Sequence, residues 1–506
     1  YVDINFFLEI PNPLLIHYAK INILIPNSEW FYESWIPYLD QFDYIWCKTS
    51  HSKKIFSKYV SEDKLILMEW TSLDCLDTKI SKEKKYIHIA GKSEYKGTQQ
   101  IIDCWTKDLP KLTILYQNNK IKTKEQENIV YINKIISENE INKLKNENYI
   151  HLCLSNAEGY GHYINETLSC KNIVLTIDSP PMNQFVDTLF LVKKKKTSKI
   201  PFCLDDKVYF CEEDLKKKIN ILKDMDFEKI GNQNRNYFLS SIKLFRKNIK
   251  QNFSLLTKRL KNNEFLKKIP REISSSTEDL PTVSIITLTH NRPEFYHLME
   301  ANYLGIDYPR DKLEWIIIDD SDTDELKSKI GEKIECKYIY LNKKTSIGFK
   351  RNIAIENSNN TLIAFMDDDD IYYPRNILLR YSYLKFYNKQ CCYCSTIGCF
   401  DINKIISHIN VPPFQLGFNQ RVSEASLMFY KDFWVKQKFL DINNMEGESF
   451  LDKRYNDCIE ISWENIFLSL IHKKNISNRI VLNKESNGCH FGLSEELFKY
   501  LTNLQK

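Results

Sequence analysis

The sequence of 506 residues lacks four features that would define its class at once. No apolar run approaches the ~20 residues that are needed to cross a bilayer, and no signal-peptide pattern is recognisable. The 71 basic and 66 acidic side chains nearly balance, so the net charge of +5 does not indicate a nucleic-acid partner. The 14 cysteines form neither paired CxxC motifs nor a disulfide framework. We therefore expect a cytoplasmic protein with reduced thiols and no transmembrane segment.

The chain is long enough for two to four domains, and its content of 43% hydrophobic and 27% charged residues is that of globular proteins. From residue 85 onward, short strand-like runs such as IHLCLS and NIVLTID alternate with polar helical segments. This alternation is typical of α/β folds with doubly wound parallel sheets.

Changes in pattern divide the chain into segments. Apolar residues recur in steps of three and four from Phe238 to Leu260, which predicts a long amphipathic helix. A stretch with proline at each end and a Ser/Thr cluster between them, 270–281, reads as a linker. A new α/β pattern then begins at TVSIITLTHNR. We predict the segments 1–84, 85–230, 231–281 (helix and linker) and 282–506.

Four consecutive aspartates, Asp367 to Asp370, follow the apolar run LIAFM. Two other predicted strands also end in polar residues, at 289–292 and at 319–320. The carboxyl ends of parallel strands meet at one edge of a sheet, where ligands bind. An Asp-x-Asp pair places two carboxylates on one side of an extended segment, and such hard oxygen ligands suit Mg²⁺ or Mn²⁺. The pattern predicts a site for a diphosphate with a divalent cation.

These motifs, together with IGFKRNIAIENS at 347–358, resemble in order and spacing the GT-A fold of family 2 glycosyltransferases over roughly residues 282–500. The resemblance implies a nucleotide-sugar donor, a UDP-sugar in this module, and a glycan or glycoprotein acceptor. It implies Mn²⁺ or Mg²⁺ bound by Asp367 and Asp369, and a nucleotide base near Asp319 or Asp320. The donor-site residues that it implies are Thr289, Asn291, Arg292, Asp319, Asp320, Arg351 and Asp368.

Inverting transferases of this kind use a carboxylate to take the proton of the acceptor hydroxyl. The segment NNMEGESFLDKR stands where the family has its acidic acceptor-side motif, although the usual Glu-Asp pair is absent. We predict Glu448 as the base and Glu446 as the second choice, the alternative being surface acids at a helix start. By the same resemblance His490 is a candidate metal ligand, the alternative being a structural histidine.

An Asp-x-Asp after an apolar strand also occurs in haloacid-dehalogenase-type phosphatases. That motif requires Thr or Val at the position of Asp370, and its strand usually opens the domain, whereas here it is the third strand. The phosphatase is the competing enzyme class, and these two differences count against it.

The segment 85–230 carries a different signature. A strand, a glycine turn and a helix follow one another in HIAGKSEYKGTQQIIDCW, and Glu158 and Glu166 are separated by seven residues. Both features resemble the donor-binding half of GT-B glycosyltransferases of the family 4 type. The resemblance implies a metal-independent donor site, with lysines at the diphosphate, Glu166 at the ribose and Glu158 at the sugar. The residues concerned are Gly91, Lys92, Lys96, Glu158, Gly159, Gly161 and Glu166.

The sequence thus predicts a bifunctional glycosyltransferase in which GT-B-like Rossmann-type domains precede a GT-A nucleotide-diphospho-sugar transferase domain. Segment 1–84 is short for a GT-B acceptor domain, so we expect it to be partial or reduced. Two alternatives remain open. In the first, only the GT-A module is active and the first part is a binding or scaffold module. In the second, the whole protein is a carbohydrate-binding scaffold.

Overall fold

A computed structural model shows two compact units, Tyr1–Lys267 and Lys268–Lys506, which we call the N-terminal and C-terminal units. Both consist of sheets flanked by helices, so the predicted α/β class is confirmed. No helix in the described part of the chain is long and apolar enough to cross a membrane. The structure describes residues 2–16, 18–261, 280–330, 334–413, 415–475 and 495–503.

The N-terminal unit contains two parallel sheets. The first has four strands in sequence order, β1 (Val2–Leu8), β2 (Ala19–Ile25), β3 (Tyr44–Cys47) and β4 (Leu65–Leu67). The second is built from β5 (Glu83–Gly91), β6 (Leu112–Tyr116), β7 (Ile129–Ile132), β8 (Asn148–Cys153), β9 (Ile173–Ile177) and β10 (Leu191–Val192). Its order β10-β9-β8-β5-β6-β7 reverses direction at β5, which is the doubly wound arrangement expected from the alternating pattern. An antiparallel ribbon of β11 (Lys194–Lys199) and β12 (Asp206–Phe210) follows.

Seven α-helices accompany these strands in the described part of this unit. They are α1 (Pro13–Ile16), α2 (Ser50–Phe56), α3 (Thr98–Cys104), α4 (Glu138–Glu147), α5 (His162–Ser169), α6 (Glu212–Leu222) and α7 (Phe227–Lys261). The predicted amphipathic helix is α7, with 35 residues. Its first half places Phe238 in the core of the six-stranded sheet, and its second half places Leu256 in the core of the four-stranded sheet. One helix therefore packs against both sheets of the unit.

The main sheet of the C-terminal unit has seven strands. They are β13 (Val283–Thr289), β14 (Leu313–Asp319), β15 (Lys337–Tyr340), β16 (Leu362–Phe365), β18 (Cys391–Cys394), β21 (Ser423–Tyr430) and β22 (Cys458–Glu460). In the order β15-β14-β13-β16-β21-β18-β22, the first four strands are parallel and β21 is antiparallel to β16. The beginning of β21 therefore lies at the same edge as the carboxyl ends of β13, β14 and β16.

A smaller sheet covers this edge on one side. It consists of β17 (Ile371–Tyr372), β19 (Ile397–Asp401), β20 (Ile406–Asn410) and β23 (Phe467–Ile471). The described helices of the unit are α8 (Tyr296–Leu304), α9 (Glu325–Lys329), α10 (Ile347–Glu356), α11 (Asn376–Tyr387), α12 (Lys431–Lys436), α13 (Glu446–Leu451) and α14 (Glu495–Asn503). The middle strands β13, β14 and β16 are almost continuously apolar because helices or strands cover both of their faces.

Candidate active site

A cavity opens at the edge of the main C-terminal sheet, where five elements from different parts of the unit meet. Strands β13 and β16 contribute the residues after their carboxyl ends, β21 contributes its first residues, and the N-terminal ends of α10 and α13 close the remaining sides. Residues around the cavity include Thr289, His290, Arg292, Lys350, Arg351, Asp367, Asp368, Asp369, Asp370, Glu424 and Glu446.

The run of aspartates is held in place by three different partners. Nη1 of Arg292 lies 2.9 Å from Oδ1 of Asp368 and 2.8 Å from Oδ2 of Asp369. Asp370 points away from these two, and its Oδ1 accepts the hydroxyl of Ser469 at 2.8 Å and the amide of Leu470 at 2.9 Å. Asp370 thus ties the loop to β23.

Asp369 also receives contacts from the segment after β23. Nε2 of His472 lies 2.9 Å from Oδ2 of Asp369, and the amide nitrogen of Asn475 donates to the same oxygen at 3.3 Å. His490, the predicted additional metal ligand, lies outside the described residues.

Whether these carboxylates fit a divalent cation can be judged from their surroundings. Among the described residues, no group of three or more His, Cys, Asp or Glu side chains is arranged to hold a metal ion by itself. Oδ2 of Asp368 is, however, buried without a hydrogen-bond partner. Burial raises the pKa of Asp368, and the charge of Asp369 adds to this effect despite the opposing charge of Arg292. The cluster is therefore short of positive charge, and it suits a cation that takes its other ligands from a diphosphate and water.

Asp319 and Asp320, both predicted at the nucleotide base, are almost fully buried. Oδ1 of Asp319 accepts the amide of Ser321 at 2.8 Å, and its Oδ2 accepts the hydroxyl of Tyr338 at 2.7 Å. Asp320 forms an ion pair with Lys350, whose Nζ lies 2.7 Å from its Oδ1. Burial alone would raise the pKa of Asp320, but its bonds to Lys350 and to the Thr345 amide outweigh burial and hold that pKa below its ordinary value.

Asn291 has a left-handed backbone, with φ of 52°. Its side chain donates to Oδ2 of Asp322 at 2.9 Å and accepts the amide of the same residue at 3.0 Å. It thus fixes the loop after β14 beside the cavity. A second depression is lined by Asn291, Ser321 and Thr323.

The two predicted bases lie on different sides of α13. Glu446 lines the cavity, and its Oε1 lies 3.0 Å from Nε of Arg351. Glu448 is not among the residues that line the cavity, and its Oε1 accepts the side-chain amide of Gln420 at 2.9 Å. Of the two carboxylates, only that of Glu446 is placed to reach a molecule in the cavity.

Arg351 connects the two walls of the cavity. Its guanidinium stacks on Phe365, 4.3 Å from the ring centroid, and Nη1 lies 4.0 Å from Oδ1 of Asp367. The same Nη1 is buried and has no hydrogen-bond partner among the described residues. Arg351 is therefore poised to donate to a negatively charged group.

The N-terminal unit holds the residues predicted for a second donor site. Lys96 forms an ion pair with Glu158 and lies 3.6 Å from the ring centroid of Tyr163. Gly97 precedes α3 with φ of +70°, and a Cβ at this position would lie 2.2 Å from the carbonyl oxygen of Leu154. Only glycine therefore permits this close approach of the turn to β8.

The other predicted residues of this site are less closely grouped. Glu166 is paired with Lys145, and Lys92 is exposed. Gly91 and Gly161 both have positive φ. At Gly159 a Cβ would lie 2.4 Å from the Asn27 side chain, so the loop after β2 presses directly on the Glu-x7-Glu segment.

Several residues at the C-terminal site were missed in the sequence. Lys350 could have been found from its place beside Arg351 in GFKRN. Glu424 is an acidic residue at the start of an apolar strand, which is a weak signal for a residue at a sheet edge. His472 reaches Asp369 across 103 positions, and no local pattern indicates such a contact.

Comparisons with known proteins give a match to one family model and distant matches to solved structures. S. aureus TarS is 14% identical with a TM-score of 0.32, and the match covers 37% of this chain and 60% of that structure. The mannosyltransferase PcManGT of Pyrobaculum calidifontis, solved with GDP-Man and Mn²⁺, is 15% identical with a TM-score of 0.32, over 43% of this chain and 65% of its own. Scores this low carry no weight for fold or function. No curated protein matches the chain. Residues 284–442, which include β13, the aspartate run and β21, match the family model described as Glycosyl transferase family 2.

Proposed function

We propose that the C-terminal unit is a glycosyltransferase that moves a sugar from a nucleotide diphosphate to a hydroxyl group with inversion at the anomeric carbon. The observation that carries this proposal is one cavity, lined mostly by the segment that matches the family model, in which the aspartate run meets Arg292, Lys350 and Arg351. Carboxylates for a cation and fixed positive groups for a diphosphate are the two requirements of metal-assisted diphosphate departure.

The roles of the residues follow from their positions. Asp367 and Asp369 would hold Mg²⁺ or Mn²⁺, which would offset the negative charge of the leaving diphosphate. Arg292 keeps Asp368 and Asp369 in fixed orientation. Arg351, with an unpartnered buried Nη1, would donate to the donor from the opposite wall. Lys350 lines the cavity, and its ion pair with Asp320 connects the cavity to the region predicted for the nucleotide base. A carboxyl group on the wall formed by β21 and α13 would accept the proton of the acceptor.

The test is donor hydrolysis, because water can replace an unknown acceptor. UDP-glucose, UDP-N-acetylglucosamine and GDP-mannose are each incubated with the chain and Mn²⁺ or Mg²⁺, with and without EDTA. We expect release of nucleoside diphosphate from at least one donor, lost on chelation. Equal rates in EDTA would contradict the metal, and failure of every donor to bind or react would contradict the transferase.

We propose further that the N-terminal unit binds a nucleotide sugar without a metal, as a GT-B-like donor site. Two observations support this. The unit consists of two parallel sheets joined by α7, and the turn at Gly97 brings Lys96 against Glu158. Helix and lysine contacts can hold a diphosphate without a cation. Because Asn27 already packs on Gly159, binding there requires the loop after β2 to move, and a rigid loop would leave the unit as a scaffold.

A further inference from the structure

The cavity of the C-terminal unit is flanked by two carboxyl groups on the same wall. Glu446 begins α13, and Glu424 stands at the second position of β21. Both belong to the residues that line the cavity. The family resemblance predicts the base only in the segment after residue 443, so it assigns no role to Glu424.

The two carboxyl groups have different surroundings. Glu446 is 4% exposed and is committed to the guanidinium of Arg351 at 3.0 Å. Such a pair engages the carboxylate of Glu446 in a charge-assisted hydrogen bond that fixes its orientation towards Arg351. Glu424 makes no ion pair among the described residues, and its Oε1 accepts the amide of Gly447 at 3.1 Å.

Gly447 explains how Glu424 comes so close to α13. A Cβ at this position would lie 2.6 Å from Cγ1 of Val422 and 2.8 Å from Oε1 of Glu424. A side chain at 447 would therefore displace the carboxyl group of Glu424. Glu446 therefore pairs with Arg351, and the absence of a side chain at Gly447 leaves space for the carboxyl group of Glu424 from β21.

The charges around Glu424 favour a carboxyl group that can both lose and regain a proton near neutral pH. Burial, followed by the charge of Glu446, raises the pKa of Glu424 to about 7, while Arg351 and the Gly447 amide act in the opposite direction. Across the cavity Asp367 adds a further negative charge beside Arg351. A general base is most effective when its pKa is close to the working pH.

We propose that Glu424 is the general base of the C-terminal unit, and that Glu446 is a positioning residue that holds Arg351. This inference rests on the proposed transferase function. In the step, the acceptor hydroxyl gives its proton to the carboxylate of Glu424, and the acceptor oxygen forms the new bond to the anomeric carbon. The bond from that carbon to the diphosphate breaks, and its electron pair leaves with the nucleoside diphosphate. With water as the acceptor, the same proton transfer produces donor hydrolysis.

The experiment compares two isosteric variants at the same wall, Glu424→Gln and Glu446→Gln, using Mn²⁺ and the donor that the wild type hydrolyses fastest. Glu424→Gln should lower hydrolysis by roughly 10²–10⁴-fold at every pH, with donor binding by calorimetry unchanged. Glu446→Gln should bind the donor more weakly, because Arg351 loses the charge that holds it, but at saturating donor it should keep a measurable rate, and the pH at which this rate falls on the acid side should move downward. The reason is that removal of a neighbouring negative charge lowers the pKa of Glu424. Glu356→Gln, an exposed residue on α10, is the control for substitution alone.

Each outcome decides between the two carboxyl groups. Loss of hydrolysis in Glu446→Gln, with a normal rate and pH profile in Glu424→Gln, would overturn the assignment while leaving the transferase intact. If Glu424→Gln does not fold, the pH profile of Glu446→Gln decides alone: a downward shift supports the assignment, and loss of activity contradicts it. A wild type that hydrolyses no donor would overturn the proposed function and this assignment together.

Discussion

Oδ2 of Asp369 is reached by three side chains from other parts of the chain, those of Arg292, His472 and Asn475. Replacement by asparagine retains the volume but removes one negative ligand. We expect Asp369→Asn to abolish metal-dependent hydrolysis and to weaken Mn²⁺ binding in the presence of UDP, as measured by calorimetry. Asp324→Asn, an exposed aspartate of the same unit, should leave both unchanged. Full turnover of Asp369→Asn in EDTA would contradict the metal site.

A second residue-scale prediction concerns the buried pair of Lys350 and Asp320, which are 5% and 1% exposed. Lys350→Met would remove the ammonium group that pairs with Asp320 and leave beside it the ring of His290, whose Nδ1 lies 3.1 Å from Oδ1 of Asp320. We expect the free energy of unfolding of the C-terminal unit to fall by about 3–5 kcal/mol, as is usual when one partner of a buried pair is removed. Urea unfolding measures the change.

The double variant Lys350→Met/Asp320→Asn distinguishes the interaction between the two residues from the effects of each single substitution. It should regain much of the lost stability, because no buried charge is then left unpaired. If the double variant is as unstable as the sum of the two single variants, the residues do not act as a pair.

The positions of residues were predictable from sequence to different degrees, and the reason is geometric. Asp319 is the last residue of β14, and Asp367 and Arg292 follow β16 and β13 within three residues, so the rule that strand ends meet at one edge predicts that they lie at the same edge of the sheet. Glu446 and Glu448 differ by two positions, and two helical steps rotate a side chain by about 200°. Only the structure shows which of them faces the cavity. Glu424 was missed because its place depends on β21 running antiparallel beside β16, a pairing that no local pattern specifies.

At the scale of elements, secondary structure was easiest to predict from the spacing of apolar residues where one face of an element is apolar. The steps from Phe238 to Leu260 predicted α7, although the helix begins earlier, at Phe227. Strand β5 was also predicted from its apolar run, but the sequence does not reveal that its one histidine is completely buried.

That histidine, His88, leads to an element-scale prediction. Its Nδ1 lies 2.8 Å from the carbonyl oxygen of Leu152 and its Nε2 lies 2.9 Å from Oγ1 of Thr98, so the ring joins β5 to β8 and α3. Burial lowers the pKa of His88 from 6.5 to about 4. The unfolded chain therefore binds a proton more readily, and stability should fall as the pH drops from 6.5 to 4.

The loss attributable to this residue is about 3 kcal/mol when integrated over that range. His88→Gln keeps a donor and an acceptor but does not titrate, so its stability should depend less on pH over the same interval. Hydrogen exchange of the β5 amides at pH 7 and pH 4.5 measures the difference. Identical pH dependence in the wild type and the variant would show that His88 does not contribute.

For the whole molecule, the prediction concerns independence of the two proposed sites. Glu166→Ala removes the carboxylate that pairs with Lys145 and that is proposed to bind a ribose. Binding of a nucleotide sugar to the N-terminal unit should weaken, and Mn²⁺-dependent hydrolysis should be unchanged, because the two proposed sites lie in separate compact units and share no residue. Calorimetry of the wild type should reveal two classes of site, of which one persists in EDTA.

The matched control is Glu147→Ala, an exposed-face residue of α4 that pairs only with Lys143 among the described residues. It should leave both classes of site unchanged. If only the metal-dependent class is found across the donor panel, the N-terminal unit is a scaffold. The loop after β2 then stays packed on Gly159 and does not open for a donor.

The helix α7 also determines when the four-stranded sheet can complete its folding during synthesis. Strands β1 to β4 end at Leu67, but the apolar residues that cover their sheet, Phe253 and Leu256 among them, belong to the far end of α7. At about 5–20 residues per second, roughly 10–40 seconds separate the emergence of the sheet from that of its cover. During that interval an apolar face is open on the ribosome, and nascent chains released before Lys261 would be natural clients of chaperones.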